Sequence, residues 1–77
     1  MDAERELEYF CENILYLRRK YGYTQKEMAV ILEINLNSLR KVERGMIPRC
    51  ITAKTLYNLC NYFQISADLI LNESLNI

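Results

Sequence analysis

Between Thr24 and Gly45 the chain carries the start and stop signals of two short helices, with room between them for nothing longer than a tight turn. Thr24 followed three residues on by Glu27 is a capping box, in which each side chain satisfies a backbone N–H at the start of a helix. Met28, Ala29 and Leu32 then recur at the three- and four-residue spacing of a buried helical face, so this helix is predicted to run to about Leu32. Asn35 is a favoured N-cap for the next helix, in which Leu39 and Val42 turn inward and Gly45 marks the end. Asn37, Ser38, Arg40, Lys41 and Arg44 are left facing outward.

The same helical spacing extends along the whole chain, without a strand pattern, an internal repeat or a low-complexity stretch. A first helix is expected over roughly Ala3 to Tyr21, with Leu7, Phe10, Ile14, Leu17 and Tyr21 as its apolar stripe and Gly22 as its left-handed end. After a loop containing Pro48, Thr52 is the predicted cap of a helix burying Leu56, Leu59, Cys60 and Phe63, and Ser66 caps a short last helix around Leu69 and Ile70. The fold class expected is therefore all-α, a globule of five short helices in a single domain over residues 1–77.

At this length the core is small, and dimerisation is one way to supplement it. No apolar run approaches the roughly 20 residues of a membrane helix, so no membrane is expected as a partner. The N-terminal segment Met1-Asp2-Ala3-Glu4-Arg5-Glu6 is acidic and lacks the basic-then-apolar pattern of a secretion signal, which points to the cytoplasm. Cys11, Cys50 and Cys60 are widely spaced and the chain has no histidine, so neither a zinc site nor a paired disulfide framework is expected. Cys11 and Cys60 fall at apolar positions, where cysteine serves as a small hydrophobe. With no histidine, no paired nucleophile and base, and no glycine-rich phosphate loop, neither an enzyme nor a cofactor is expected.

The net charge of zero conceals a strong asymmetry. Residues 1–16 carry net −4, residues 17–54 net +6 and residues 55–77 net −2, so the two capped helices sit in the basic centre. A basic, polar helix face following a tight turn is how a small domain offers a helix to the DNA major groove.

The order Asn13-Ile14-x-x-Leu17-Arg18, then Tyr23-Thr24-Gln25-x-Glu27-Met28-Ala29-x-x-Leu32-x-Ile34-Asn35, then Leu39-x-x-Val42-Glu43-Arg44-Gly45, then Thr55-Leu56-x-x-Leu59-Cys60-x-x-Phe63-x-Ile65-Ser66-x-Asp68-x-Ile70 resembles the lambda-repressor-like helix-turn-helix family of Cro/XRE type. The likeness covers about residues 10–72, leaving an acidic extension at 1–9 and an apolar tail at 73–77. It implies that Leu36, Asn37, Arg40 and Lys41 face the bases of double-stranded DNA, and that Gln25, Asn35, Arg44 and Arg49 contact phosphates. It also implies a partly buried structural salt bridge between Arg18 and Glu43. Leu36 has the alternative of packing against the preceding helix or a partner.

Three departures accompany the resemblance. Glu33 stands where the turn commonly has glycine, which implies left-handed strain or a different turn. Val30 and Ile31 lie where polar residues are usual, as surface scatter or as a face for a protein partner. The loop from Gly45 to Thr55 is longer than the family's common form, which bears on Arg49.

The leading functional expectation is a sequence-specific transcriptional regulator, a repressor acting as a homodimer through the fifth helix and the tail residues Leu69, Leu71, Leu75 and Ile77. The alternative is a protein-interaction module that kept the fold and lost DNA binding.

Overall fold

The computed structural model describes residues 3–75, and among them it contains five α-helices and no strand. They are α1 (Ala3–Lys20), α2 (Gln25–Leu32), α3 (Leu36–Glu43), α4 (Ala53–Phe63) and α5 (Ala67–Asn72). α1 packs against α3 and α5, α2 against α3 and α4, and α4 against α5, around a core of Phe10, Ile14, Leu17, Met28, Leu32, Leu39, Val42, Leu59 and Ile70.

Three of the four connections are built to one pattern. A left-handed residue is followed by an apolar residue and then by the cap of the next helix: Gly22-Tyr23-Thr24, Glu33-Ile34-Asn35 and Gln64-Ile65-Ser66. In each, the amide of the apolar residue reaches back five residues to a carbonyl of the preceding helix, at 3.0 Å for Tyr23 to Arg18, 3.0 Å for Ile34 to Ala29 and 3.1 Å for Ile65 to Cys60. Such a bond satisfies a carbonyl that the end of the helix would otherwise orphan, and the apolar side chain that follows covers the break. Ile34 and Ile65 pack against the core for this reason. The caps then start the next helix, with Glu27 N donating to Thr24 Oγ1 at 3.1 Å and Ser38 N to Asn35 Oδ1 at 2.8 Å.

Glu33 adopts the left-handed conformation, φ 58°, ψ 43°, so the strained alternative is the one realised. A non-glycine residue there costs on the order of 1 kcal/mol. Glu33→Gly removes that strain, offset by the greater freedom of glycine in the unfolded chain and by the loss of an exposed pair with Lys54 at 3.3 Å. A rise in melting temperature of roughly 2–4 °C is expected; a fall would show that Glu33 is unstrained.

Several sequence expectations are corrected. Leu7 and Tyr21, assigned to the buried stripe of α1, are 45% and 52% exposed, because the stripe runs past the core at both ends of the helix. Asn13 is buried on α1 instead, beside Cys11, whose burial agrees with its expected use as a small hydrophobe. In α4, Leu56, Cys60 and Phe63 are half-buried and Thr55 is buried beside Leu59. Ser38 faces inward, where the Cys50 thiol donates to its hydroxyl at 2.9 Å and ties the loop after α3 back to that helix. Ile31 is half-buried against the core, so of the Val30 and Ile31 pair Val30 alone is fully outward. Leu71 and Leu75 also pack against the core and Leu69 is exposed, which reduces the apolar surplus assigned to a partner surface; Ile77 lies outside the described residues.

Asn13 fixes the C-terminal end of the chain to α1. Its Nδ2 donates to the carbonyls of Ile70 and Glu73, both at 2.8 Å, and its Oδ1 accepts from Leu75 N at 2.9 Å. One buried amide thus satisfies three backbone groups at the end of α5, where helical partners run out. Burial raises the Cys11 and Cys60 thiols above the ordinary range, in keeping with small apolar fillers. Among the described residues, no helix is long and apolar enough to cross a membrane and no three His, Cys, Asp or Glu side chains are grouped to hold a metal ion.

Candidate nucleic-acid interface

The inward residues Ser38, Leu39 and Val42 leave the opposite side of α3 to solvent, and that side carries Asn37, Arg40, Lys41 and Arg44, all exposed. Leu36, at the first position of α3, is half-buried. Asn35 is exposed, but its side-chain oxygen is committed to the cap, which leaves its amide nitrogen as the group free to donate outward.

The attitude of α3 is fixed by a chain of polar contacts that begins on α1. Arg18 grips Glu43 at the end of α3 through two bonds, Nε to Oε2 at 2.6 Å and Nη2 to Oε1 at 3.0 Å, in the paired geometry that guanidinium and carboxylate favour. The side chains of Arg18 and Glu43 are 17% and 8% exposed. Arg18 Nη1 also donates to the Tyr23 carbonyl at 3.2 Å, joining the pair to the turn before α2. Gln25, the first residue of α2, donates from Nε2 to Glu43 Oε1 at 3.1 Å and accepts from Arg40 Nε at 3.5 Å. Three helices therefore meet at one carboxylate.

Around this junction Leu15, Arg19, Gln25, Arg40, Glu43 and Arg44 line an open cleft of about 410 Å³. The structure thus brings together Gln25, Arg40 and Arg44 of the residues singled out from the sequence, with Arg18 and Glu43 behind them. Arg49 lies exposed on the loop after α3 and is not among the residues lining the cleft. Sequence reasoning gave no role to Arg19 or Leu15; the signal available was the basic run Arg18-Arg19-Lys20 at the end of α1, which entered the charge count but in which Arg18 alone was assigned a role.

The turn that leads into α2 is braced from the other side by aromatic rings. Tyr23 packs edge-on against Tyr62 and Phe63, with centroids 6.1 and 6.3 Å away, and its hydroxyl shares a 2.8 Å hydrogen bond with that of Tyr62. That bond holds the Tyr23 phenol above its ordinary range, with a smaller contribution from burial. α4 thereby supports the start of α2 against movement of the Gln25 end.

In chemical terms the face offers planar donors, amides and an ammonium group. Guanidinium and ammonium groups suit phosphate oxygens and the guanine edge, and amides suit adenine. A family model described as helix-turn-helix matches residues 14–70, from Ile14 in α1 to Ile70 in α5. Neither the curated proteins nor the solved structures give a match to this chain.

Proposed function

Because this chain belongs to the helix-turn-helix family of the Cro/C1 (XRE) type, whose members are DNA-binding regulators rather than enzymes, we propose that it is a sequence-specific transcriptional repressor that inserts α3 into the major groove of double-stranded DNA as a homodimer. The observation that carries the proposal is the exposed face Asn37, Arg40, Lys41 and Arg44 on a helix whose orientation is set by the Arg18–Glu43–Gln25 contacts. Leu36, Asn37, Arg40 and Lys41 are assigned to base edges, and Gln25, Asn35, Arg44 and Arg49 to the backbone. Leu36 meets a thymine methyl, the one base feature its side chain can recognise.

A single recognition helix reads only a few base pairs, and two copies on half-sites about 34–36 Å apart supply the missing specificity. Leu69 of α5, exposed beside the half-buried Leu71 and Leu75, supports an interface at this end of the domain. Repression is the output proposed because occupying a promoter requires no surface beyond the one that binds DNA. The place of action proposed is the cytoplasm. A second reading, a protein-interaction module of the same fold, draws support from Val30, which is 77% exposed on α2.

Selection from a pool of random duplexes tests the proposal. Recovery of an inverted repeat with half-sites one helical turn apart is the expected result, while a pool that fails to enrich at low salt would favour the interaction module.

A further inference from the structure

The basic run at the end of α1 divides its three charges among different tasks. Arg18 turns into the protein, where Glu43 neutralises it. Lys20 lies over aromatic rings, its Nζ 5.8 Å from the Tyr16 centroid and 5.5 Å from that of Tyr21. Arg19, between them, is exposed and lines the cleft at the meeting of α1, α2 and α3.

Arg40 and Arg44 line the same cleft. Glu43, its single carboxylate, already carries the guanidinium of Arg18 at 2.6 Å and the amide of Gln25 at 3.1 Å. Among the described residues no carboxylate lies within ion-pair distance of Arg19, Arg40 or Arg44; Glu12, two turns earlier on α1, lines a neighbouring groove with Arg19 without pairing with it. Three guanidinium groups, from α1, α3 and the cap of α3, thus line a space whose one carboxylate is already paired with Arg18; Glu8 and Glu12 line an adjoining groove with Arg44 without an ion pair to it. A group that suits the space is small, anionic and able to accept hydrogen bonds from several directions, which describes a phosphodiester.

We infer that Arg19 is a DNA-backbone contact, holding with Arg44 a phosphodiester seated in this cleft, so that the footprint on DNA extends beyond α2 and α3 onto α1. The inference rests on the proposed DNA-binding function and adds to it a residue outside the helix-turn-helix segment. Gln25 also lines the cleft, and its contacts with Glu43 and Arg40 tie the start of α2 to α3 there.

The test is the salt dependence of binding to a random-sequence duplex and to a selected one, measured for wild type, Arg19→Ala and Arg19→Lys. Each phosphate neutralised contributes about 0.9 to the slope of log affinity against log salt. Arg19→Ala is expected to lower the magnitude of that slope by about 0.9 and to weaken binding several-fold on both duplexes alike, and Arg19→Lys to restore the slope. Because Arg19 is exposed, the melting temperature of both variants should match that of wild type. A wild-type slope in Arg19→Ala would overturn the inference while leaving the DNA-binding reading intact, as would a loss confined to the selected duplex. Wild type that binds no duplex at low salt would overturn both.

Discussion

Replacing Glu43 with alanine is expected to cost about 3–5 kcal/mol of folding stability, because it strands a guanidinium that is largely out of water. Arg18 is 17% exposed in its side chain and finds its carboxylate partner at 2.6 Å, so loss of that partner leaves a partly buried cation with the Tyr23 carbonyl as its remaining acceptor. Gln25 loses its acceptor in the same step. Against a total stability of roughly 5–10 kcal/mol for a domain of this size, the change removes about 30% or more and lowers the melting temperature by at least about 12 °C. Thermal melts followed by circular dichroism check it. The double variant Arg18→Met with Glu43→Met separates the buried charge from the space it fills. It should recover much of the loss, since an apolar pair of similar volume needs no counter-ion. A melting temperature for Glu43→Ala within about 2 °C of wild type would mean that the pair contributes as little as a surface one.

Asn13→Ala should be nearly as damaging and is expected to act in a different place. It leaves the carbonyls of Ile70 and Glu73 and the amide of Leu75 without their side-chain partner, inside a region where Asn13 itself is fully buried. Unsatisfied buried polar groups cost about 1–3 kcal/mol each, and partial access of water to the end of α5 brings the expected total to about 2–4 kcal/mol. Asn13→Asp should be worse at neutral pH, because it replaces a donor with a carboxylate aimed at two carbonyl oxygens. Native-state hydrogen exchange distinguishes this from general weakening. Protection of Ile70 and Leu75 should fall well before that of Met28 and Leu39 in the core. Uniform loss of protection across the chain would contradict a local role for Asn13.

The contrast between these two positions shows what a single sequence makes legible. Thr24 with Glu27, Asn35 and Ser66 could be read directly because a cap bonds to residues three positions away, inside the same window of sequence. Asn13 could not be read in that way, since its partners lie 57, 60 and 62 residues further along the chain. Ser38 was misplaced outward for a related reason: its partner Cys50 reaches it through a loop whose path helical periodicity does not describe. The helix ends were half legible. Gly22 and Gly45 announce left-handed positions, whereas Glu33 and Gln64 adopt the same conformation with side chains that disfavour it. The apolar residue and cap that follow each of them, Ile34-Asn35 and Ile65-Ser66, were the better signal, because they carry the packing that holds the turn.

For the interface, the outward face of α3 followed from the positions of Leu39 and Val42, and the family likeness added Gln25 and the Arg18–Glu43 pair. What emerged only in three dimensions is that one carboxylate organises all three helices, and that the arginines left over gather around it. Net charge was a poor guide by itself. The acidic residues of α1 cancel the total without lining the cleft, whose one carboxylate, Glu43 of α3, is already neutralised by Arg18.

The central claim is that the exposed face of α3 binds DNA, and the most direct test is an anisotropy titration of a duplex of about 30 base pairs over a salt series, comparing wild type with the triple variant Asn37→Ala, Arg40→Ala, Lys41→Ala. Wild type should bind at about 50 mM salt with an affinity that falls steeply and linearly on logarithmic axes as salt rises. The triple variant, whose substitutions are all exposed and leave the core untouched, should keep the wild-type circular dichroism spectrum and lose about 100-fold or more in affinity. A triple variant that binds as wild type does, with the same salt slope, would contradict the account.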